Sequence, residues 1–350
     1  MGKRYYLLFV ISFDLRKSVN LPFVTEVIKK LATQIGATVL IEPEYGFVGQ
    51  ITFKNGKRTL FRNGRFEINN HASVAIVQDK GYASFFLKEL GYNVPEEQTF
   101  FSDKLCSKLI KKRNIDDGYS FAKNLGFPAI VKPNDLSKGI LVAKVYNKEE
   151  YYQTAQQIFL KTSVLLIQKF YPGNDYRVVV LDGEIVSAYQ RMPLSVIGDG
   201  KSSILEILHQ KQTMFLQENR DITIDLDDFR IATNLHRQKL TLNSVIPQNT
   251  KIKILDNANL SSGGEAIDVT KQMHPDFQKL AISAIKDMGL RLGGVDIITS
   301  DITQPMQEYV IIEINGAPGL EHYAAIGEEQ MKVVEELYLK ILKAIEMGNW

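Results

Sequence analysis

No stretch limits the folds open to this chain more than Tyr309–Tyr323, which reads Tyr-Val-Ile-Ile-Glu-Ile-Asn-Gly-Ala-Pro-Gly-Leu-Glu-His-Tyr. Its β-branched run, Val310 to Ile314, is expected to form a buried strand. Glu313 and Asn315 interrupt that run two residues apart. A strand has period two, so both side chains leave the same face. A charge inside an apolar strand costs on the order of several kcal/mol unless something compensates it. Two oxygen ligands side by side suit a hard cation, most simply Mg²⁺, with Mn²⁺ as an alternative. Gly316, Pro318 and Gly319 then turn the chain, as strand ends at sites often do. Upstream, Gly293-Gly294-Val295-Asp296-Ile297-Ile298 repeats the form, with an acid in a short apolar strand. Asp296, Glu313 and Asn315 together suit metal ions that bridge the phosphates of a nucleotide. Taken alone, the same pattern also describes two ordinary hairpin strands with acids at their ends.

The chain has 350 residues, 45% of them hydrophobic, enough for two or three packed units. Its 42 basic and 40 acidic residues leave a formal charge of +2, which gives no support for nucleic-acid or membrane attraction. Cys106 is the only cysteine, so no intrachain disulfide can form, and a cytoplasmic location is expected. The apolar run in Met1–Ser12 lacks a small-residue cleavage site and reads as a first strand. No uninterrupted apolar stretch approaches ~20 residues, so no membrane span is expected.

In order, the pattern predicts a strand over Tyr5–Ile11, a helix over Pro22–Gln34 ended by Gly36, and a strand over Ala37–Ile41. This βαβ opening indicates a small open α/β unit. Asn55-Gly56 and Asn63-Gly64 sit between short alternating runs and signal hairpins. Lys80 precedes a helix expected over Ala83–Leu90. Lys132 closes the apolar strand Phe127–Pro133. The loop Asn134–Gly139 follows, then a strand over Ile140–Tyr146. Lysine, loop and returning strand is one way to cover phosphates with backbone N–H groups. Arg177 opens and Arg191 ends a hairpin with strands Val178–Leu181 and Glu184–Tyr189. Ile222–Arg237, acidic and then basic, reads as a solvated helix pair. Asn259-Leu260-Ser261-Ser262-Gly263-Gly264 is a polar loop with donors suited to an anion, although most such loops are plain connections.

The ordered set of motifs resembles the ATP-grasp ligases, most closely the ATP-grasp half of cyanophycin synthetase and the glutathione-forming half of bifunctional glutathione synthetase. The resemblance runs from Asn69 to Gly327. It is carried by Asp175-Tyr176-Arg177, Gly198-Asp199-Gly200, Asn259 to Gly264 with Asp268-Val269-Thr270 and His274-Pro275, Gly294-Val295-Asp296, and Glu313-Ile314-Asn315 with Ala317-Pro318-Gly319. It implies α+β lobes around a cleft that holds ATP, divided as 1–78, 79–172 and 173–350. It also implies roles. Lys80 and Lys132 match lysines that reach ATP phosphates, with Lys138 and Gly139 in the lid above them. Gln168, Lys169 and Tyr171 match the hinge that holds adenine, and Asp175 the acid on the ribose hydroxyls. Asp296, Glu313 and Asn315 match the Mg²⁺ ligands. Arg177, Arg191 and the loop carrying Asn259, Ser262 and Gly263 match the groups around the reacting phosphoryl and carboxylate. Two departures stand out. The loop after Lys132 is shorter than in the relatives and holds one glycine, and Gln168 stands where they place glutamate.

The resemblance implies ATP- and Mg-dependent joining of an amino-acid or peptide carboxylate to an amine through an acyl phosphate. Such chemistry needs no side-chain nucleophile, because positioning and charge neutralisation suffice. Two alternatives remain: modification of a protein or precursor peptide, and nucleotide binding without catalysis. Small-molecule substrates are expected and nucleic acid is not. Homo-oligomerisation is left open. No part corresponds to the Mur-ligase-like half of the one relative or the glutamate–cysteine ligase half of the other, so a stand-alone ligase is expected.

Overall fold

The computed structural model describes residues 21–218, 220 and 222–348, and these divide into two compact units at the 63/64 boundary. In the first, helix α1 (Phe23–Gln34) buries Val24, Val27, Ile28 and Leu31. Gly36, at φ +69°, turns the chain out of it. Strands β1 (Thr38–Ile41), β2 (Val48–Thr52) and β3 (Arg58–Arg62) form an antiparallel meander. The Asn55-Gly56 turn lies between β2 and β3, as its composition predicts. The strand expected over Tyr5–Ile11 lies outside the described residues.

The second unit opens with β4 (Arg65–Phe66), α2 (His71–Gln78) and α3 (Lys80–Glu89). Next come β5 (Glu97–Phe101), α4 (Asp103–Cys106), α5 (Ile115–Leu125), β6 (Ala129–Pro133), β7 (Ala143–Val145), α6 (Lys148–Phe159) and β8 (Val164–Lys169). The strands make an antiparallel sheet in the order β5-β8-β6-β7. Phe100, Val131, Leu165 and Ile167 pack on one face against Ala122, Tyr151, Ala155 and Ile158 of α5 and α6. Period two sends Glu97, Gln168 and Ile130, then Thr99, Leu166 and Lys132, to the other face in two cross-strand rows. The strand expected over Ile140–Tyr146 is only Ala143–Val145. Lys138, Gly139 and Leu141 all have φ between +54° and +65°, which breaks the extended run and lengthens the loop.

β9 (Asn174–Leu181) and β10 (Glu184–Met192) are longer than expected, so Arg177 and Arg191 lie inside strands rather than at their ends. The chain then builds a body with its own core. It contains β11 (Ser195–Ile197), α7 (Ile204–Gln217), α8 (Phe229–Arg237) and β12 (Lys251–Lys253), the last paired with β11. The solvated helix pair expected over Ile222–Arg237 is wrong. Only α8 is helical there, and Ile222, Ile224, Ile231 and Leu235 are buried with Leu208 and Phe215. The charges that suggested solvation cover the outside of an apolar face.

β13 (Glu265–Asp268), α9 (Pro275–Asp287), β14 (Leu292–Thr299) and β15 (Tyr309–Asn315) complete a second antiparallel sheet, in the order β13-β10-β9-β14-β15. Val178, Val180, Val295, Ile297, Ile311 and Ile314 meet Phe277, Ala281 and Ile285 of α9 in its core. α10 (Glu321–Ala324) and α11 (Glu328–Met347) follow. Among the described residues, no helix is long and apolar enough to cross a membrane.

Gly118 shows how closely the first sheet is covered. A Cβ there would collide with Tyr151 Oη and lie 3.1 Å from Ile167 Cδ1 and 3.2 Å from Phe100 Cγ. Tyr151 cannot retreat without losing its 2.9 Å bond to the Ile115 carbonyl. Alanine gains ~1 kcal/mol in helix propensity, but overpacking costs ~1–3 kcal/mol. Gly118→Ala is therefore expected to lower the urea midpoint of unfolding. An unchanged or higher midpoint would show that this contact has slack.

Candidate active site

The second sheet turns a charged face away from α9. Arg177 and Asp296 are direct cross-strand partners, and Asp296 is in turn opposite Glu313. Arg177 donates from Nε to Asp296 Oδ1 at 2.6 Å and from Nη2 to Oδ2 at 2.7 Å. Arg191 donates to Asp175 Oδ1 at 2.8 Å from Nε and 2.6 Å from Nη2. It also reaches Asp296 Oδ2 at 3.0 Å. Two acids and two guanidiniums thus form one chain of opposite charges. Burial alone would raise the Asp296 pKa, but Arg177 and Arg191 outweigh it and hold that carboxyl below its ordinary range. Asp175 goes the other way: burial and the nearby Asp296 charge outweigh Arg191 and push it up.

Asn315 shares the face of Glu313. In the orientation its neighbours favour, its nitrogen donates to Glu313 Oε1 at 3.3 Å and its oxygen accepts from Arg177 Nη2 at 3.1 Å. Lys80, the first residue of α3, holds Nζ 3.9 Å from Glu313 Oε1. Its ammonium also donates to the carbonyls of Leu136 (2.7 Å) and Asn134 (3.3 Å). Lys132 is 5% exposed, and burial pulls its pKa below the ordinary lysine value despite the attraction of Glu313 and Glu97. The lysines expected at a phosphate therefore meet the acids expected at a metal, across two sheets.

The loop from Asn134 runs beside Lys80. Its root is held where Gly81 N donates to Asn134 Oδ1 at 3.0 Å. Among the described residues, the N–H groups of Leu136, Ser137, Lys138 and Gly139 donate to no carbonyl or side chain. Asp135 N–H also has no acceptor among the described residues, and such a run of consecutive free donors suits an anion. Ser261 Oγ donates to the Lys138 carbonyl at 3.3 Å, and a Cβ on Gly139 would lie 2.5 Å from Asn259 Nδ2. Asn259 itself accepts from Ser261 N at 3.0 Å. Gly263, at φ +89°, faces Leu194 and Phe215 rather than the cleft. The polar loop 259–264 thus meets the lid, and only its first half does so.

Gln168 donates its amide to Glu97, its cross-strand partner. Lys169 Nζ lies 5.9 Å from the Tyr171 ring centroid, and Tyr171 Oη accepts from Glu96 N at 3.5 Å. Glu97 was not singled out from the sequence. Its carboxyl is pushed up by burial, with Lys132 opposing, and its Oε1 has no hydrogen-bond partner.

The donor set fits a hard cation. A carboxylate has about four lone-pair sites. Three on Asp296 are taken by the two arginines, which leaves one on Oδ1. Glu313, with its side chain 24% exposed, and the Asn315 oxygen lie on the same face.

Residues 86–203 match the model of the D-Ala D-Ala ligase C-terminus, and residues 247–337 match the RimK-like ATP-grasp domain. The chain is 30% identical over 289 residues to the glutathione biosynthesis bifunctional protein GshAB of Streptococcus mutans, covering 78% of this chain and 37% of that protein. It is 35% identical over 212 residues to cyanophycin synthetase of Trichormus variabilis, covering 57% of this chain and 23% of that protein. The bifunctional glutathione synthetase structure from Pasteurella multocida superposes with a TM-score of 0.57 at 23% identity, covering 92% of this chain and 44% of that one. Residues 247–337 thus carry an ATP-grasp domain match. The chain spans less than half the length of these relatives.

The two sheets of this chain are thus the platforms for its charged groups, and strand register sets which groups meet. Arg177 and Arg191 each keep the Nη1 end of the fork without a partner among the described residues. Asp296→Asn leaves two buried guanidiniums short of one counter-charge, which is expected to cost ~3–5 kcal/mol at neutral pH. The folded-state pKa of Asp296 is depressed. Its contribution is therefore present above the unfolded value of about 3.9 and is lost as pH falls through the folded value. Urea titrations should show wild type and Asp296→Asn well separated at pH 7 and converging only in that acid range. Equal midpoints at pH 7 would show that the pair is not needed.

Proposed function

We propose that the chain is an ATP-dependent ligase that joins an amino-acid or peptide carboxylate to an amine. The observation that carries this reading is the approach of Lys80 to Glu313, with the buried Lys132 in the field of the same acid and a loop with consecutive free N–H donors beside Lys80. The activities named for GshAB and cyanophycin synthetase support the same class.

On this reading, a substrate carboxylate oxygen attacks the γ-phosphorus, ADP leaves, and an acyl phosphate remains. The amine nitrogen then attacks the acyl carbon, phosphate departs, and the nitrogen loses a proton. A divalent cation held by Asp296, Glu313 and Asn315 would supply charge neutralisation at the phosphates. Lys80 and Lys132 hold phosphate oxygens, and Lys138 and Gly139 belong to the covering loop. Gln168, Lys169 and Tyr171 bound the base, and Asp175 the ribose. Arg177 and Arg191 offer their free Nη1 donors to the transferring group, with Asn259 beside the acceptor, while Ser262 and Gly263, expected there from the sequence, lie in the half of the loop that does not meet the lid. Arginine suits this task because its planar fork keeps its direction while one edge is bound.

The test is phosphate release from ATP and Mg²⁺ with pools of amino acids and dipeptides, with products identified by mass spectrometry. Release that requires both a carboxylate and an amine, with a new amide, supports the proposal. ATP binding without acceptor-dependent turnover overturns it. Glu313→Gln is expected to lower turnover by roughly 100-fold or more without altering the melting temperature. Lys132→Ala should weaken ATP binding in calorimetry, and a near-normal affinity would remove the lysine from this role.

A further inference from the structure

The loop 134–142 is held at its outer end by a residue from outside either sheet. Arg230 lies on α8, in the body formed by residues 194–255. Its Nη1 donates to the Gly139 carbonyl at 2.8 Å and to the Val142 carbonyl at 2.9 Å. The other edge of the guanidinium grips Asp228, whose Oδ1 and Oδ2 accept from Nε at 2.9 Å each. Asp228 also caps α8 by accepting from Arg230 N at 3.0 Å. Both side chains are 12% exposed. The guanidinium is thus fixed at its base and points one nitrogen at two carbonyls of the loop. One carbonyl belongs to Gly139, and the two lie on either side of Leu141; both residues, like Lys138, have positive φ.

We propose that Arg230 is a positioning residue for the nucleotide's phosphates. It touches no nucleotide atom. By binding the carbonyls of Gly139 and Val142, it anchors the outer end of the loop whose N–H groups from Leu136 to Gly139 are free, and so limits the conformations that stretch can take. Lys138 and Leu141 hold positive φ without being glycine, a conformation that costs energy, and an external brace helps to keep the loop in it. Residues 204–246, which include α8, lie between the two stretches that match family models. The brace therefore belongs to a part of the chain that those stretches do not define. Arg230 also anchors Val142, the residue that leads into the edge strand β7, a purely structural service. The experiment must separate the two.

The inference rests on the reading that this loop covers a triphosphate. Calorimetry should compare a non-hydrolysable ATP analogue with AMP, each with Mg²⁺, on wild type, Arg230→Ala and Arg230→Lys. Lysine keeps a charge beside Asp228 but cannot hold both carbonyls and the acid with one fixed fork. The expected result is at least a tenfold weaker triphosphate analogue in both variants, with AMP affinity within twofold of wild type. Retained AMP binding doubles as proof of folding. Trypsin should also cut the exposed Lys138–Gly139 bond several-fold faster in the variants. If triphosphate and AMP weaken equally, or if neither changes, Arg230 serves the fold alone and the proposal fails. Failure of wild type to bind either nucleotide would instead overturn the parent reading.

Discussion

The Arg177–Asp296 pair is the interaction on which the second sheet's function depends. Each ion costs several kcal/mol to remove from water, and such a pair stabilises only when its geometry is good and its spare lone pairs are met. Here both oxygens of Asp296 are bound by one fork, and Arg191 adds a third bond. A register slip of one residue between β9 and β14 would send Arg177 into the apolar face against α9. The pair therefore opposes every pairing but one. A second register, between β14 and β15, aligns Asp296 with Glu313 and Gly294 with Asn315. Asp296 belongs to both pairings, so the strand that carries it links the arginines on one side to Glu313 and Asn315 on the other.

Much of this was legible because it depends on period two. Glu313 and Asn315 leave one face of β15 whatever the tertiary context, and Asp296 sits in a run that can only be a strand. The Lys132 strand and the following loop were legible for the same reason. What could not be read is which residue on one strand faces which on another. Glu97 has no local mark of importance; its meeting with Gln168 exists only in the β5–β8 register. Arg177 and Arg191 were placed at strand ends because the hairpin's true length was hidden. The residues from Ile222 to Arg237 misled for a different reason. Their charges fall in an acidic run followed by basic residues, yet Ile222, Ile224, Ile231 and Leu235 between them suffice to bury one side. Arg230 was missed with them.

The two sheets divide the work. Each buries one face under helices, and each leaves the other face to polar groups. The first contributes Lys132, Gln168 and Glu97, and the second contributes the acid–arginine chain with Glu313 and Asn315. Lys80 joins them, because its three donors are shared between the loop root and Glu313. A lysine with two carbonyl partners is already oriented, so an incoming anion need not order it. Lys132 has the complementary property. Burial makes its charged state costly, and an anion beside it would relieve that cost.

The charges of the cleft decide what it still needs. Asp175 and Asp296 are cancelled by Arg177 and Arg191. Lys80 and Lys132 stand against Glu313 and Glu97, which interact with them. The protein groups around the cleft are therefore nearly balanced before a nucleotide arrives. A triphosphate brings several negative charges into this low-dielectric space, and the loop's N–H dipoles offset only part of them. Glu313 would then repel the phosphates it faces unless something positive lay between. An acid retained beside two lysines makes physical sense when its oxygens serve a divalent cation, and the free lone pair on Asp296 and the Asn315 amide lie on the side where that cation would bind.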